Sequence, residues 1–216
     1  MTAAVIFDLD GVLLESEQVW NEVKRELVEE RGGSWSEGAP RDMMGMSSPE
    51  WTAYLRDELR VDMDPAEISD AVVARLEAIY RERLPWIDGA RAAVERAAAH
   101  GPIGLASSSN REIIDLFLEL SGLAGLFGVT VSSEEVARGK PAPDVYLEAA
   151  RRLGVRPEDC LAVEDSENGI RAAKAAGMRV VVLPNTEWPP GAGALALADE
   201  VIGSLDELSS VPFRDQ

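Results

Sequence analysis

The apolar residues of this chain follow two different rhythms. In residues 15–87 they recur every three or four positions, as in amphipathic helices, and the clearest case is Glu17–Arg31. Elsewhere, short apolar runs such as Ala4–Asp8 and Leu161–Val163 alternate with helical stretches. Short buried runs between helices are typical of a parallel sheet with helices on both faces. The pattern therefore predicts an α/β fold, a doubly wound parallel sheet with an inserted all-helical segment.

The predicted elements outside the insertion alternate strictly between strand and helix. Strands are expected at the first run and at Ile103–Ala106, Val129–Val131, Leu161–Val163 and Val180–Leu183. Helices are expected at Ala90–His100, Glu112–Leu120, Asp144–Leu153 and Asn168–Ala176. Within the insertion, Ser48-Pro49 and Asp64-Pro65 are typical helix starts, a capping residue followed by proline. We assign residues 1–14 and 88–216 to the sheet domain and residues 15–87 to a helical cap.

Four of the tryptophans lie in the cap. They are Trp20, Trp35, Trp51 and Trp86. Large aromatic side chains dominate the burial of small domains, so these residues are expected to form the core of the cap itself. The alternative is that one or two of them, together with Met43, Met44 or Met46, line a wall that faces a substrate.

Polar side chains follow the predicted strands at the point where each strand ends. They are Asp8 and Asp10 after the first strand, followed by Gly11 where the backbone turns, then Ser107–Asn110 after the second strand, Lys140 in the loop after the third, and Glu164-Asp165 after the fourth. Open parallel sheets bind ligands outside the carboxyl ends of their strands. We therefore expect these residues to meet in one crevice.

The charges of this crevice indicate a divalent metal. Asp8, Asp10, Glu164 and Asp165 repel one another, and Lys140 neutralises only one of them. Oxygen-only ligands without a His or Cys cluster favour Mg²⁺ over zinc. With the metal bound, the crevice can accept a phosphate group in spite of the formal net charge of −18.

Phosphate can also be held by neutral donors and attacked by a carboxylate. The Ser107 hydroxyl and the backbone N–H groups of Ser108 and Ser109 would bind the phosphate oxygens. An aspartate aligned with the phosphorus is a competent nucleophile, because phosphoryl transfer depends mainly on positioning and charge neutralisation.

The remaining features exclude several classes of function. The acidic surface opposes binding to nucleic acid or to an anionic membrane. Cys160 is the only cysteine and is expected to be a buried structural thiol, whereas His100 is expected at the surface without a role. Because no signal peptide or membrane-spanning segment is recognisable, a cytoplasmic protein is expected. We also expect a monomer.

The ordered motifs resemble those of the haloacid dehalogenase-like superfamily. They are Asp8-Leu9-Asp10-Gly11, Ser107, Lys140-Pro141 and Glu164-Asp165. The helical insertion directly after the first motif is similar to the cap of the phosphatase and beta-phosphoglucomutase-like subgroup. The resemblance covers nearly the whole chain, and it implies a Rossmann-like core and a Mg²⁺-dependent phosphoryl-transfer enzyme that acts on a small phosphorylated metabolite.

The resemblance also implies a role for each motif residue. Asp8 would be the nucleophile that becomes aspartyl-phosphate, and Asp10 the acid/base. Ser107 and Lys140 would hold the phosphate. The metal site would comprise Asp8, Asp10 through its backbone carbonyl, Asp165 and Glu164, the last directly or through water. The loop residues Ser108, Ser109 and Asn110 and the cap residues Trp20 and Met46 would contact the substrate.

Three activities are compatible with these motifs. A phosphatase is favoured because sugar-phosphate mutases of the subgroup carry a histidine near the start of the first cap helix and an arginine in the following loop. Here Trp20 and Ser48 occupy those places. The alternatives are a phosphosugar mutase, which the Ser107–Asn110 loop resembles, and a phospho-acceptor signalling domain without turnover. A domain of the latter kind does not need a helical cap over its site.

Overall fold

A computed structural model describes residues 2–210. Met1 and residues 211–216, which the sequence analysis assigned to the sheet domain, lie outside the described residues.

A parallel six-stranded sheet forms the centre of the molecule. Its strands are β1 (Ala4–Phe7), β2 (Ile103–Ser107), β3 (Phe127–Ser132), β4 (Cys160–Glu164), β5 (Arg179–Val182) and β6 (Glu200–Val201). They are arranged in the order β3-β2-β1-β4-β5-β6, and every neighbouring pair is parallel. The predicted fold class is confirmed. The edge strand β6 was not predicted, because it has only two residues, one of which, Val201, is exposed.

Helices pack on both faces of this sheet and form the cap. The cap contains α1 (Glu17–Glu30), α2 (Ala39–Met43), α3 (Ser48–Asp57) and α4 (Pro65–Glu82). The sheet is flanked by α5 (Ala90–His100), α6 (Arg111–Ser121), α7 (Asp144–Leu153), α8 (Glu167–Ala175) and α9 (Ala192–Leu195). The short helices α2 and α9 were not predicted, since five and four residues are too few to establish a helical period.

Alternate strand residues enter two different hydrophobic cores. Val5 and Phe7 of β1 face the layer that contains α5 and α6, and this core continues into the cap. Ala4 and Ile6 face the layer of α7, α8 and α9. The period of two along each strand explains why β1 is fully buried and reads as a continuous apolar run.

The start of α3 is shifted by one residue from the sequence-based prediction. The N-cap is Ser47, and Ser48 is the first residue of the helix. The Glu50 carboxylate accepts hydrogen bonds from the Ser47 backbone N–H at 2.8 Å and from its hydroxyl at 2.6 Å. This reciprocal capping box selects Ser47 over its neighbour.

The two chain segments that join the cap to the sheet domain lie side by side. The Glu15 N–H donates to the Pro85 carbonyl at 2.7 Å, and the Ile87 N–H donates to the Leu13 carbonyl at 3.1 Å. Trp86, in the second segment, packs edge-to-face on Phe117 of α6 with the ring centroids 5.6 Å apart. Trp86, which was expected in the core of the cap, thus also packs against the sheet domain.

Two further expectations concern the cysteine and membrane-spanning segments. Cys160 is a buried free thiol whose Sγ contacts the Arg156 carbonyl oxygen at 3.4 Å, and burial raises its pKa to about 11. Among residues 2–210, no helix has both the length and the apolar character needed to cross a bilayer.

Candidate active site

The candidate site lies where the strand order reverses direction. The chain runs from β1 through β2 to β3 on one side of β1 and then crosses back to β4 on the other side, so the carboxyl ends of β1 and β4 border a crevice. The Asp8 N–H donates to the Val163 carbonyl at 3.0 Å, which aligns the two strand ends. The sequence-predicted acids Asp8 and Asp165 therefore lie next to each other.

Residues from both the sheet domain and the cap line this crevice. They are Asp8, Asp10, Glu17, Trp20, Lys24, Met43, Gly45, Met46, Trp51, Ser108, Ser109, Lys140, Asp165 and Ser166. The cap thus forms one wall of the crevice, which we call the cap wall (Glu17, Trp20, Lys24, Met46 and Trp51). The opposite side, the sheet wall, consists of Asp8, Lys140 and Asp165, together with Glu164, which is fully buried and contacts Lys140.

Lys140 is the buried cation of the sheet wall. Its Nζ lies 2.6 Å from Glu164 Oε1 and 3.0 Å from Asp8 Oδ1, and only 2% of the residue is exposed. Burial opposes its charge, but Asp8 and Glu164 outweigh burial and raise the pKa of Lys140 above its ordinary value. Lys140 is therefore held as an ammonium group beside Asp8.

Glu164 uses both of its carboxylate oxygens within the protein. Besides Lys140, the Tyr146 hydroxyl donates to Oε1 at 2.6 Å, and the Asp165 N–H donates to Oε2 at 3.1 Å. Gly169 in α8 makes room for this carboxylate, because a Cβ built there would lie 1.8 Å from Oε1. These contacts fix the ammonium group of Lys140 in place.

Asp8 and Asp165 have few partners for their buried oxygens. Asp8 Oδ1 pairs with Lys140 Nζ at 3.0 Å, and Asp165 Oδ2 has no hydrogen-bond partner among the described residues. Burial raises the pKa of Asp8 to about 8, with Lys140 opposing and Glu164 and Asp10 adding to the shift. Burial, reinforced by Glu164 and Asp8, also raises the pKa of Asp165 well above its ordinary value.

This shortage of positive charge fits a hard divalent cation. One oxygen each from Asp8, Glu164 and Asp165 lies within 4.8 Å of the others, so a single ion can reach this group. Gly11 keeps the space open, because it has a φ of 76° and a Cβ there would lie 1.9 Å from Asp165 Oδ2. Carboxylate oxygens without nitrogen or sulfur donors suit Mg²⁺.

Asp10 contacts both the cap and the sheet domain. Its Oδ1 accepts hydrogen bonds from the Ser16 hydroxyl at 2.5 Å and from the Trp20 indole N–H at 3.1 Å, and its Oδ2 accepts one from the Ser109 hydroxyl. Ser16 and Trp20 lie at the start of the cap. The orientation of the Asp10 carboxylate therefore depends on where the cap lies.

Only two of the four predicted site residues in the loop after β2 line the crevice. Ser108 and Ser109 line the crevice, whereas Ser107 is fully buried beneath them and its Oγ accepts the Ser109 N–H at 3.0 Å. Asn110, predicted to bind substrate, does not line the crevice. Its Nδ2 donates to Ser69 Oγ of α4 at 3.0 Å and to Glu134 Oε1 at 2.9 Å, because the residue begins α6 and points toward the cap helix.

The cap wall contains residues that the sequence analysis did not select. Trp20 and Trp51 pack edge-to-face with their ring centroids 6.0 Å apart. Both belong to the buried core of the cap, and both also line the crevice, so these two tryptophans match the expected core role and the alternative role in a substrate-facing wall. Lys24 is buried, and its Nζ lies 4.9 Å from each ring centroid. Lys24 could have been found in the sequence, because it falls on the apolar stripe of α1, four residues after Trp20.

Comparison with known proteins identifies the family. The haloacid dehalogenase-like hydrolase family matches residues 2–177 of the chain. The chain belongs to this family. The resemblance predicted from the motifs is confirmed.

Similar proteins include phosphatases and solved structures of the same fold. Hexitol phosphatase B of Escherichia coli (strain K12) is 34% identical over 218 residues, with 96% of this chain and 94% of that protein covered. A bifunctional riboflavin kinase/FMN phosphatase of Arabidopsis thaliana is 31% identical, and this chain spans 58% of its length and is itself covered completely. The crystal structure of CbbY from Rhodobacter sphaeroides in complex with phosphate superimposes with a TM-score of 0.81 at 29% identity, covering 96% of both chains.

Proposed function

We propose that the chain is a Mg²⁺-dependent phosphatase that hydrolyses a small phosphorylated metabolite through an aspartyl-phosphate. The family and the phosphatase names of its relatives make it a phosphoric monoester hydrolase. The observation that carries the finer proposal is the cluster of buried carboxylates Asp8, Glu164 and Asp165 around the single ammonium group of Lys140, with Asp165 Oδ2 left without a hydrogen-bond partner among the described residues. This arrangement lacks positive charge until a divalent cation binds, and it then suits a phosphate dianion.

The first chemical step would be carried by Asp8. One of its oxygens attacks the phosphorus, the bond from phosphorus to the ester oxygen breaks, and an acyl-phosphate forms on the carboxylate. Lys140, whose Nζ lies 3.0 Å from Asp8 Oδ1, would neutralise charge on the nucleophile and on the phosphate. When bound, the metal would supply further neutralisation, held by Asp8, Asp165 and the Asp10 backbone carbonyl.

Asp10 would move the protons of both half-reactions. It would donate a proton to the departing ester oxygen, and its carboxylate would then remove a proton from the water that attacks the acyl-phosphate. Water attack releases phosphate and restores Asp8. The Trp20 indole and the hydroxyls of Ser16 and Ser109 would hold Asp10 in position for both transfers.

The cap would exclude bulk water and contact the leaving group. The paired linkers Leu13–Glu17 and Arg83–Asp88 would bend as one hinge, since they are tied to each other by backbone hydrogen bonds. Trp20 and Met46 would then face the part of the substrate beyond the phosphate. The cap and sheet domain would correspond to residues 15–87 and to 1–14 with 88–216.

Hydrolysis is favoured over the mutase alternative by the cations of the crevice. Of the described residues that line it, only Lys24 and Lys140 are basic, and Lys140 contacts Asp8 and Glu164. A bisphosphate intermediate needs a strong grip on its second phosphate, and neither an arginine nor a histidine lines the described crevice.

A screen for phosphate release tests the proposal. The purified chain is incubated with a panel of phosphorylated metabolites and with phenyl phosphate, with Mg²⁺ or with excess chelator. Metal-dependent release from at least one metabolite is expected. Isomerisation of a sugar phosphate without net phosphate release would favour the mutase, and full activity in chelator would refute the metal requirement.

A further inference from the structure

Tyr146 is a buried residue next to the site that the proposed chemistry does not use. It lies in the first turn of α7, six residues after Lys140, and its side chain is fully buried. Its hydroxyl donates to Glu164 Oε1 at 2.6 Å, and the Lys140 Nζ lies 5.1 Å from the centroid of its ring. Tyr146 therefore contacts both members of the ion pair that lies beside Asp8.

The tyrosine hydroxyl is not needed to fill the space. The ring of Tyr146 belongs to the core between the sheet and helices α7, α8 and α9, most of whose members are aliphatic side chains. A phenylalanine would bury the same ring without bringing a polar group into this core, where a hydroxyl needs an acceptor. The acceptor here is the same oxygen that binds Lys140, so the hydroxyl acts on the ion pair.

One ammonium group serves two carboxylates in this part of the site. Lys140 Nζ lies 2.6 Å from Glu164 Oε1 and 3.0 Å from Asp8 Oδ1, so the contact with Glu164 is the shorter of the two. The interaction between charges weakens with distance, so the position of the ammonium group decides how far it neutralises Asp8. A group that reduces the attraction of Glu164 leaves more of this charge for Asp8 and for a phosphate beside it.

The Tyr146 hydroxyl is such a group, because it donates to the oxygen that Lys140 contacts. Hydrogen bonds to a carboxylate stabilise its charge, so Glu164 depends less on Lys140 when it has other donors. Oε2 accepts from the Asp165 and Ser166 N–H groups at 3.1 and 3.3 Å. Without the tyrosine hydroxyl, Lys140 would be the only donor to Oε1 among the described residues, and Glu164 would attract it more strongly.

Glu164 has little room to move away in compensation. The residue is fully buried, and its carboxylate lies so close to Gly169 of α8 that a Cβ there would be 1.8 Å from Oε1. Lys140, in contrast, has a flexible four-carbon side chain. A change in the hydrogen bonding of Glu164 should therefore displace the ammonium group of Lys140.

Building on the proposed phosphatase activity, we infer that Tyr146 is a positioning residue whose hydroxyl holds Glu164 so that the Lys140 ammonium group is shared with Asp8. Tyr146 does not line the crevice and acts only through these neighbours. By keeping Asp8 neutralised, it raises the affinity of the site for a phosphate dianion.

The affinity for inorganic phosphate tests this inference without turnover. Tyr146→Phe keeps the ring and removes the hydroxyl, and at saturating Mg²⁺ it should raise the Kd for inorganic phosphate by ~10-fold, because Asp8 then repels the dianion more strongly. In the Asp8→Asn background the same substitution should change the Kd by less than ~2-fold, since the repelling charge is gone. Isothermal titration calorimetry measures the four Kd values at a temperature below the unfolding transition of every variant.

The active enzyme should show the same change in its kinetics. Tyr146→Phe should lower kcat/KM for phenyl phosphate by ~10-fold. The matched control is Tyr54→Phe, which removes a hydroxyl that donates to Asp42 Oδ2 at 2.9 Å in the cap, away from the residues that line the crevice. This control should leave both the Kd for phosphate and kcat/KM within ~2-fold of the wild-type values.

Two results would overturn the inference. An unchanged Kd in Tyr146→Phe would show that Lys140 stays beside Asp8 without the hydroxyl. Equal increases in Kd in the wild-type and Asp8→Asn backgrounds would mean that Tyr146 acts through packing and not through the neutralisation of Asp8. The proposed function is tested separately, because only the absence of phosphate release from every substrate by the wild-type chain would refute the phosphatase itself.

Discussion

The two walls of the crevice compensate their charges in opposite ways. On the sheet wall, Lys140 contacts two carboxylates, and one of these, Glu164, has hydrogen-bond donors on both oxygens. On the cap wall, Lys24 lies against aromatic faces, with its Nζ 4.9 Å from the ring centroids of Trp20 and Trp51. The sheet wall is short of positive charge, whereas the cap wall carries one carboxylate, Glu17, and one ammonium group, Lys24.

This difference separates chemistry from selectivity. The groups of the sheet wall are fixed by strand ends that pair through the backbone, and their geometry does not depend on the leaving group. Three groups of the cap wall, Glu17, Trp20 and Lys24, lie on α1, which follows the first of the paired linkers. Asp10 is the residue that joins the two, since its carboxylate accepts from Trp20 on one side and from Ser109 on the other.

The largest effect is expected from Asp8→Asn, which removes the nucleophile from the sheet wall. The amide has nearly the same shape but cannot form the acyl-phosphate, so kcat should fall by ~10⁴-fold or more. The Tm of the metal-free variant should equal or exceed that of the wild type, because burial disfavours the Asp8 carboxylate more than Lys140 favours it, and the amide carries no charge. Steady-state kinetics and thermal unfolding check both statements, and retention of more than a few per cent of activity would remove Asp8 from the mechanism.

The second prediction concerns the charge deficit of the sheet wall. Mg²⁺ should raise the Tm of the wild-type chain, since a ligand that binds only the folded state stabilises it. Asp165→Asn removes a charged ligand and should weaken Mg²⁺ binding by ~100-fold, with loss of the Tm increase at a fixed Mg²⁺ concentration. Asp62→Asn, which removes a charge from an exposed loop position, is the control. Calorimetric titration that gives the same affinity in all three proteins would place the metal elsewhere.

The sequence was sufficient for the sheet wall because its signals are local. Each acid follows an apolar run that becomes a strand, and strand ends of a parallel sheet meet at one edge. The helices α5 and α7 also have the predicted bounds, Ala90–His100 and Asp144–Leu153, since each has a clear period and a stop signal. Contacts that depend on tertiary approach were not predictable, such as the Tyr146 hydroxyl on Glu164 or the contact that turns Asn110 toward Ser69.

For the cap wall, too, the sequence does not reveal the contacts that depend on tertiary packing. Lys24 lies on the apolar stripe of α1, so the periodicity that identified the helix also marked the residue as anomalous. The pattern did not show that its ammonium group would reach the crevice, because this depends on how α1 packs above the sheet. Trp20 had a predicted place at the crevice, but its hydrogen bond to Asp10 depends on the same packing.

The third prediction tests Asp10 as the link between the walls. Trp20→Phe keeps an aromatic ring but removes the N–H that donates to Asp10 Oδ1 at 3.1 Å. A hydrogen bond to a charged group contributes about 1.5–3 kcal/mol, so kcat should fall by at least ~10-fold. The loss should be larger for an alkyl phosphate, whose leaving oxygen needs a proton, than for 4-nitrophenyl phosphate, whose leaving group is already a weak base.

The matched control is Trp51→Phe, which changes the neighbouring ring of the cap wall without a recorded bond to Asp10. It should affect both substrates to a similar and smaller extent. If Trp20→Phe lowered the two rates by the same factor, the indole would act only as packing, and the cap would not control the acid/base residue.

The smallest effect is expected in the pH dependence of stability, which reports the charge deficit of the sheet wall directly. In metal-free protein, burial raises the pKa of Asp8 from 3.8 to about 8, so the folded state holds a proton that the unfolded chain has lost between these values. The unfolded state then binds fewer protons, and stability must fall as the pH rises through this window. In excess chelator the Tm should decrease between about pH 5 and pH 8 and level off above it. The decrease should be shallower in Asp8→Asn, and it should vanish or reverse with saturating Mg²⁺, because protons then compete with the bound cation.

Differential scanning calorimetry of both proteins measures the slopes. Identical slopes in chelator would mean that Asp8 is ionised without the metal, and the sheet wall would then have no charge deficit at this residue.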